Sequence, residues 1–352
     1  MSDILTEQHI VALIGLSTGI LLGLAARLGR FCTLGAIEDA LYGGSTVRLR
    51  MWGMAIGLAV MGSFGLMAMG LLAGAETYYL SIRWMPAASI LGGLVFGYGM
   101  ALSGMCGYGA IARLGGGDLR SFVIVLVMGV ATFVVLSGPL APLRDMIFPQ
   151  TPVTTEVAPG IAHQLSAMSG IPANVLGMII GAIILIGSAA SFAVWKRPSQ
   201  IGWAVAVGLA VVGAWAGTSW VAHTGFEALP VVSHSFAAPL GDSILWWMTG
   251  SARPLSFAVG SVAGVWAGAF IGSLIKGQFR WEACEDPREL RRQIIGAALM
   301  GGGAVVALGC SIGQGLSAFS VLAISAPVTF AAIFAGAALG LRQLIVGFQP
   351  AE

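Results

Sequence analysis

The chain has 352 residues, of which 57% are hydrophobic and only 9% are charged, and its formal net charge is +2. A soluble domain usually carries about 25% charged residues, so this composition excludes an ordinary water-soluble enzyme, and the small net charge argues against a polybasic nucleic-acid-binding protein. Small residues let membrane helices approach closely, and the chain has 52 glycines. The composition therefore predicts an all-α polytopic membrane protein.

Apolar stretches that can span a bilayer, which takes about 20 residues, occur about nine times along the chain. They are predicted at 9–29, 51–73, 86–105, 120–140, 172–195, 201–222, 254–275, 293–309 and 325–346. Two long connections, 141–171 and 223–253, are rich in Pro, Ser, Thr and His, and they are predicted as outer loops whose histidines lie on the surface.

Three shorter apolar stretches, 31–42, 106–117 and 310–320, follow spans without being long enough to cross. They are predicted as re-entrant short helices, which are tolerated at membrane depth only when buried in protein or lining a cavity. A side chain at the start of such a helix lies beside unpaired backbone N–H groups and the positive end of the helix dipole, an anion-binding arrangement. The cysteines at these starts are Cys32, Cys106 and Cys310.

Glycines flank the second and third of these cysteines closely. A span with a purely structural role needs no such break, so the glycines are predicted to open the backbone of a substrate site. A glutamine four residues after Cys310 is also predicted to bind substrate, because a buried side-chain amide needs hydrogen-bond partners. The predicted substrate-binding residues are Cys32, Cys106, Cys310, Gly107, Gly109, Gly309, Gly313 and Gln314.

The basic residues predict the orientation. If the N-terminus is outside, all but three of the 17 lysines and arginines fall on the cytoplasmic side, and the exceptions are Arg83, Arg144 and Arg253. Cytoplasmic loops carry an excess of Lys and Arg, so the N-terminus is predicted outside and the C-terminus inside.

The chain also contains an internal repeat. A shift of 204 residues places Cys106 on Cys310 and aligns ILGGLVFGYGMALSGMCGYG (90–109) with IIGAALMGGGAVVALGCSIG (294–313). The two helices before these cysteines run in opposite directions, which predicts an inverted-topology repeat of the kind many transporters have. The first repeat covers about 9–140, the linker span 172–195 and the second repeat about 201–346, all within one transmembrane domain.

Three motifs resemble the YeeE/YedE membrane proteins, a family of bacterial thiosulfate-uptake transporters. They are GRFCTLGA (29–36), GYGMALSGMCGYG (97–109) with the downstream ARLGGGD (112–118), and GGGAVVALGCSIGQGLS (301–317). The resemblance implies that Cys32, Cys106 and Cys310 line the path of thiosulfate through the bacterial inner membrane into the cytoplasm. It also implies a cytoplasmic partner, a small TusA-like sulfurtransferase. Cys284 matches none of these motifs.

Two other functions compete with transport of thiosulfate or a related sulfur anion. A membrane sulfurtransferase could form a cysteine persulfide, although nucleophilic cysteines usually have a neighbouring base and no histidine adjoins these three. A soft-metal permease would use cysteine and methionine, but no MxxM run lies near the cysteines. No cofactor is predicted, and no GxxxxGK[ST] motif for nucleotide binding occurs. The sequence therefore predicts a transporter rather than an enzyme.

Overall fold

The computed structural model describes residues 6–153, 157–283 and 286–347, so Cys284 lies outside the described residues. Throughout these ranges the chain folds into helices joined by short connections, and three isolated bridges take the place of any sheet. The all-α prediction is confirmed.

The described part of the chain forms sixteen α-helices. In chain order they are α1 Glu7–Arg27, α2 Thr33–Leu41, α3 Val47–Ala68, α4 Tyr78–Ser81, α5 Pro86–Ser103, α6 Gly107–Leu114, α7 Leu119–Leu136, α8 Ala141–Ile147, α9 Ile161–Ser169, α10 Ala173–Ala189, α11 Phe192–Trp195, α12 Pro198–Thr224, α13 Ala238–Thr249, α14 Phe257–Ile275, α15 Pro287–Val306 and α16 Ser325–Val346. A 3-10 turn covers Gly74–Glu76, and a π-helical stretch covers Gly313–Ala318.

Helices occur at all nine positions predicted to span the membrane. Seven helical segments within the described ranges are long and apolar enough to cross a bilayer: α1, α3, the region Pro86–Leu114, α7, α12, α14 and α16. The other two are α10, which has 17 residues, and α15, which carries charges in its first turns. The protein is therefore a multi-pass membrane protein, and the count of nine spans stays a prediction.

Short helices also occur after each of the three cysteines, and the same backbone break precedes each one. Arg30, Gly104 and Leu308 have φ angles of 55°, 73° and 58°, and each stands two residues before its cysteine. Glycine adopts this left-handed conformation readily, whereas Arg30 and Leu308 hold it at a cost of about 1–3 kcal/mol each. The surrounding packing must therefore compensate for two strained residues next to the cysteines.

Short helices also lie in the two stretches predicted as loops: α8 and α9 lie within 141–171, and α13 lies within 223–253, so that part of the prediction was wrong. The shift of 204 residues places α2 on 237–245, within one residue of the start of α13. The same shift places Cys32 on Phe236, directly before α13. The second half therefore has a short helix at this position but no cysteine.

Helices α5 and α15 pack backbone to backbone through glycines. A Cβ atom on Gly99 would lie 2.6 Å from the carbonyl oxygen of Gly296, and one on Gly303 would lie 2.9 Å from that of Gly92. The shift of 204 residues places Gly99 on Gly303 and Gly92 on Gly296. The contact between Gly99 and Gly296 is therefore equivalent to the contact between Gly303 and Gly92. Such close approach requires small residues.

The remaining helix contacts also come in matched sets. Helix α5 packs on α16 as α15 packs on α7, and α1 packs on α14 as α12 packs on α3. The short helix α2 contacts α16, whereas α13 contacts α7. The shift of 204 residues places α5 almost on α15 and α7 almost on α16, whereas it places α1 on only the second half of α12, so the contacts of α1 with α14 and of α12 with α3 correspond helix by helix and not residue by residue.

Candidate substrate path

Cys106 lies at the centre of the predicted site. It is fully buried and forms the N-cap of α6, where its sulfur accepts a hydrogen bond from the backbone N–H of Gly109 at 3.4 Å. It interacts electrostatically with Cys32 and with Cys310, and the Ser311 hydroxyl lies beside its thiol. The structure therefore brings the three cysteines, far apart in sequence, into one region.

Cys310 is held by three groups. Its sulfur accepts backbone N–H bonds from Phe236 at 3.1 Å and from Gly313 at 3.4 Å, and the Ser235 hydroxyl lies 3.7 Å away. The bond from Gly313 repeats the bond from Gly109 to Cys106, because both donors stand three residues after the cysteine. The bond from Phe236 brings the start of α13 to the same point.

Cys32 differs from the other two cysteines. It is half-buried and forms the N-cap of α2 without a side-chain cap hydrogen bond. Tyr108 interacts electrostatically with both Cys106 and Cys32, and Cys310 is not among the groups that act on it. Cys106 is thus the thiol that interacts with both of the others, and all three are free of disulfides.

The predicted glycines fall into two groups. A Cβ atom on Gly107 would lie 2.6 Å from the carbonyl oxygen of Phe236, and one on Gly313 would lie 2.8 Å from the Ser235 hydroxyl oxygen. Both glycines therefore permit close approach of another segment. A Cβ atom on Gly109 would make only ordinary van der Waals contacts, so Gly109 contributes to the site through its backbone N–H group.

Gln314 uses its side chain within the protein. Its amide donates to the carbonyl oxygens of Ala307 at 2.9 Å and Leu308 at 3.1 Å, and its oxygen accepts from Ser325 at 3.3 Å. These bonds satisfy carbonyls at the end of α15, so Gln314 fixes the turn that presents Cys310. Contact between Gln314 and substrate stays a prediction.

A cavity of about 550 Å³ leads towards Cys310 from the face where α1 begins and α15 ends. We call this cavity the vestibule. Its lining includes Tyr79, Ser235 and Gly309, and among the lining residues that the structure describes, Asp242 alone is charged. Sequence reasoning placed Gly309 at the site but missed Tyr79 and Ser235, which come from connections without a motif.

The segment before α13 is rigidly held. His234, predicted as a surface residue, is instead fully buried, and its Nδ1 atom lies 2.7 Å from the Ser261 hydroxyl oxygen. Its carbonyl oxygen accepts a bond from Ser317 at 2.6 Å, which ties the segment to the π-helical stretch. This anchoring fixes the backbone N–H that reaches Cys310.

A group of packed aromatic rings includes Phe31, the residue before Cys32. Phe31 stacks on Trp52 with ring centroids 4.6 Å apart, and Trp52 contacts Phe330 at 5.5 Å. We call these three residues the aromatic layer. Phe31 and Trp52 are almost completely buried, and within the described ranges the indole N–H of Trp52 has no hydrogen-bond partner.

Basic side chains surround the helix ends beyond the aromatic layer. Lys276 donates to the carbonyl oxygen of Arg27 at 2.7 Å, and Arg113 donates to that of Gly104 at 3.4 Å. Arg27 and Arg30 both lie close enough to Lys276 for their charges to interact. We call this side of the molecule the basic face, and it lies at the opposite end of α1 from the vestibule.

Comparisons with known proteins bear on the resemblance to sulfur transporters. The thiosulfate transporter TsuA of Spirochaeta thermophila is 26% identical over 328 residues, covering 88% of this chain and 92% of that protein. The thiosulfate transporter TsuA of Escherichia coli is 25% identical over 320 residues, covering 86% of each chain. A sequence model of sulphur transport proteins matches residues 28–339, which include all three cysteine motifs. The resemblance is confirmed: the protein belongs to the sulphur transport family.

Proposed function

We propose that this protein transports thiosulfate across the bacterial inner membrane into the cytoplasm, along a path that passes Cys310, Cys106 and Cys32 in that order. The observation that carries the proposal is the convergence of three free thiols, each at the start of a short helical segment, near the end of the vestibule. The two TsuA relatives support thiosulfate as the substrate.

Helix starts suit this ion. Thiosulfate is a small dianion, and an unpaired ion of this charge in a low-dielectric interior costs many kcal/mol. The starts of α2, α6, α13 and the helical segment after Cys310 supply partial positive charge without a fixed cation. Because these partial charges offset only part of the desolvation cost, they allow the ion to leave each site again.

The thiols act without forming a covalent bond to the substrate. The sulfur atoms of Cys106 and Cys310 already accept backbone N–H bonds, so each thiol can donate its S–H to the terminal sulfur of a passing ion. A neutral thiol avoids the repulsion that a thiolate would exert on a dianion. The path is then a sequence of shallow sites.

The direction follows from the basic face. Cytoplasmic sides of membrane proteins are enriched in Lys and Arg, so the basic face lies in the cytoplasm and the vestibule opens outside. The N-terminus is then outside and the C-terminus inside. The basic face also suits docking of a small cytoplasmic TusA-like sulfurtransferase, which would receive the sulfur after Cys32.

The two halves form an inverted repeat in this proposal. The support comes from the paired helix contacts and from the exchange of the Gly99–Gly296 contact with the Gly92–Gly303 contact. Helix α13 adds support, since it stands where the repeat requires a counterpart of α2. Transporters built this way bind substrate where the broken helices of the two halves meet.

Uptake of radiolabelled thiosulfate into vesicles containing the purified protein tests the proposal. We expect wild-type uptake, retention of uptake in Cys284→Ala as the matched control, and loss of uptake in Cys106→Ala. If Cys106→Ser transports as well as wild type, hydrogen bonding suffices and sulfur is dispensable. Full uptake after alkylation of all accessible thiols would refute the cysteine path.

The same preparation separates transport from sulfurtransfer. A sulfurtransferase that forms a cysteine persulfide releases sulfite from thiosulfate, whereas a transporter delivers the ion intact. We expect no sulfite from the purified protein alone and recovery of intact thiosulfate from the vesicle interior. Stoichiometric release of sulfite would favour the enzyme instead.

A further inference from the structure

Two hydroxyl groups stand at the end of the vestibule, beside Cys310. The Ser235 hydroxyl lies 3.7 Å from the sulfur of Cys310, and Tyr79 interacts with both Cys310 and Ser235. A Cβ atom on Gly313 would lie 2.8 Å from the Ser235 hydroxyl oxygen and 3.0 Å from that of Tyr79. Both hydroxyls therefore lie against the same glycine, and both belong to the cavity lining.

The surroundings leave hydrogen bonding as the main means of binding an anion here. Asp242 is the charged residue in the described lining, and its charge repels a dianion. The backbone N–H groups of Phe236 and Gly313 are occupied by the sulfur of Cys310. The donors nearest to Cys310 at the end of the vestibule are the hydroxyls of Tyr79 and Ser235, beside the Cys310 thiol itself.

We propose that Tyr79 and Ser235 bind the oxygen end of thiosulfate while the Cys310 thiol contacts its terminal sulfur. This assignment rests on the proposed transport of thiosulfate and names the residues that recognise each end of the ion. Hydroxyls are suitable donors to sulfonate-type oxygens, whereas a polarisable thiol suits a soft sulfur. The site thus orients the ion with its sulfur towards the cysteines.

The assignment predicts how sulfate behaves. Sulfate has the same charge and a similar tetrahedral set of oxygens, but it lacks the soft sulfur. It therefore occupies the hydroxyl pair and competes with thiosulfate, yet it is not passed along the thiols. The inhibition constant for sulfate therefore reports on the hydroxyl groups of Tyr79 and Ser235 alone. The KM for thiosulfate uptake reports on these hydroxyl groups and on the Cys310 thiol together.

The experiment measures the KM for thiosulfate uptake and the inhibition constant for sulfate in vesicles containing the whole protein. Loss of one hydrogen bond to a charged group changes affinity by about tenfold or more, so Tyr79→Phe and Ser235→Ala should each raise both constants in parallel by about tenfold. Cys310→Ser should impair thiosulfate uptake and leave the sulfate constant unchanged.

Neighbouring residues provide matched controls. Tyr78 also borders the cavity and packs edge-on against Tyr79 at 5.6 Å, but Cys310 is not among the groups that act on it. The Ser233 hydroxyl donates to the carbonyl oxygen of Val211 at 3.2 Å. Tyr78→Phe and Ser233→Ala should keep both constants within about twofold of wild type, in line with the small effects of most substitutions away from a site.

Several outcomes would overturn the assignment. It is wrong if sulfate does not compete in the wild type, or if Tyr79→Phe and Ser235→Ala leave both constants unchanged. It is also wrong if both variants lower only the maximal rate. Absence of thiosulfate uptake in the wild type would instead refute the proposed function. Melting temperatures in detergent establish that each variant is folded, and Ser235→Ala, the smaller change, carries the test if Tyr79→Phe is unstable.

Discussion

The two approaches to the cysteines differ in what they offer an ion. On the vestibule side, a cavity of about 550 Å³ narrows to the neutral donors Tyr79 and Ser235. On the basic face, Phe31 of the aromatic layer adjoins half-buried Cys32, and Arg27, Arg30 and Lys276 lie close enough for their charges to interact. The described lining of the vestibule offers neutral hydrogen-bond donors and no Lys or Arg, whereas the other side combines aromatic rings with positive charge. In the proposed function, selection and release therefore belong to opposite ends of the path.

The largest expected effect is the loss of thiosulfate uptake when the cysteine at either end of the path is replaced. Cys310→Ala and Cys32→Ala should both lower thiosulfate uptake to background. Cys310→Ala should also lower the free energy of unfolding by about 1–3 kcal/mol, because two buried backbone N–H groups lose their acceptor. Cys32 makes no cap hydrogen bond, so Cys32→Ala should not show this loss. Equal melting temperatures for the two variants would contradict the difference in bonding.

The next prediction compares two glycines in α6. Gly107→Ala should reduce uptake at least tenfold and destabilise the protein by about 1–3 kcal/mol, because its Cβ would press on the Phe236 carbonyl oxygen. Gly109→Ala has room for a Cβ and keeps its N–H, so it should retain uptake and gain up to about 1 kcal/mol from helix propensity. If both variants behave alike, the contact with Phe236 does not position the site.

A smaller effect is expected in the aromatic layer. The indole N–H of Trp52 has no partner in the described structure, whereas that of Trp215 donates to the Ser320 hydroxyl at 2.9 Å. Trp215→Phe should therefore be more destabilising than Trp52→Phe by about 1 kcal/mol. Trp52→Phe should lower uptake severalfold, because the free N–H can donate to the passing ion. Unchanged uptake would leave the layer with a packing role only.

The smallest prediction concerns pH at the vestibule. Burial raises the pKa of Asp242 above its ordinary value, and the nearby Arg253 partly opposes this change. Protonation removes a negative charge that repels the dianion, so uptake should rise as the external pH falls through the raised pKa. Asp242→Asn should increase uptake at neutral pH and flatten this part of the profile. Glu76→Gln, an acid outside the vestibule lining, should keep the wild-type profile.

Much of the fold could be predicted from local patterns. Apolar length located the long helices, and short apolar stretches after three of the spans located three short helices, because both features act within a few residues. Helix α13 was missed because its 12 residues lie between Pro, Ser and His residues that suggest a loop. The internal repeat contained the missing signal, since the shift of 204 residues places α2 almost on α13.

The site was only partly predictable. Cys32, Cys106 and Cys310 stand in recognisable motifs, but Tyr79 lies in the four-residue helix α4 and Ser235 in the connection before α13, and the two meet through packing around Gly313. Gln314 shows another limit of reasoning from the sequence, and its contact with substrate stays a prediction. A buried amide needs partners, but sequence cannot distinguish a substrate from the carbonyl oxygens of Ala307 and Leu308, which it binds in the structure.

The glycine contacts between α5 and α15 have a mechanical consequence. These helices lead to Cys106 and Cys310, and their backbones touch where any Cβ atom would overlap a carbonyl oxygen. Sliding or rocking one helix against the other would bring larger side chains into that seam, so the two thiols are held at a fixed separation. In the proposed transport, the ion therefore moves while these two helices keep their positions, and we expect gating to depend on side-chain rotation rather than on movement of α5 against α15.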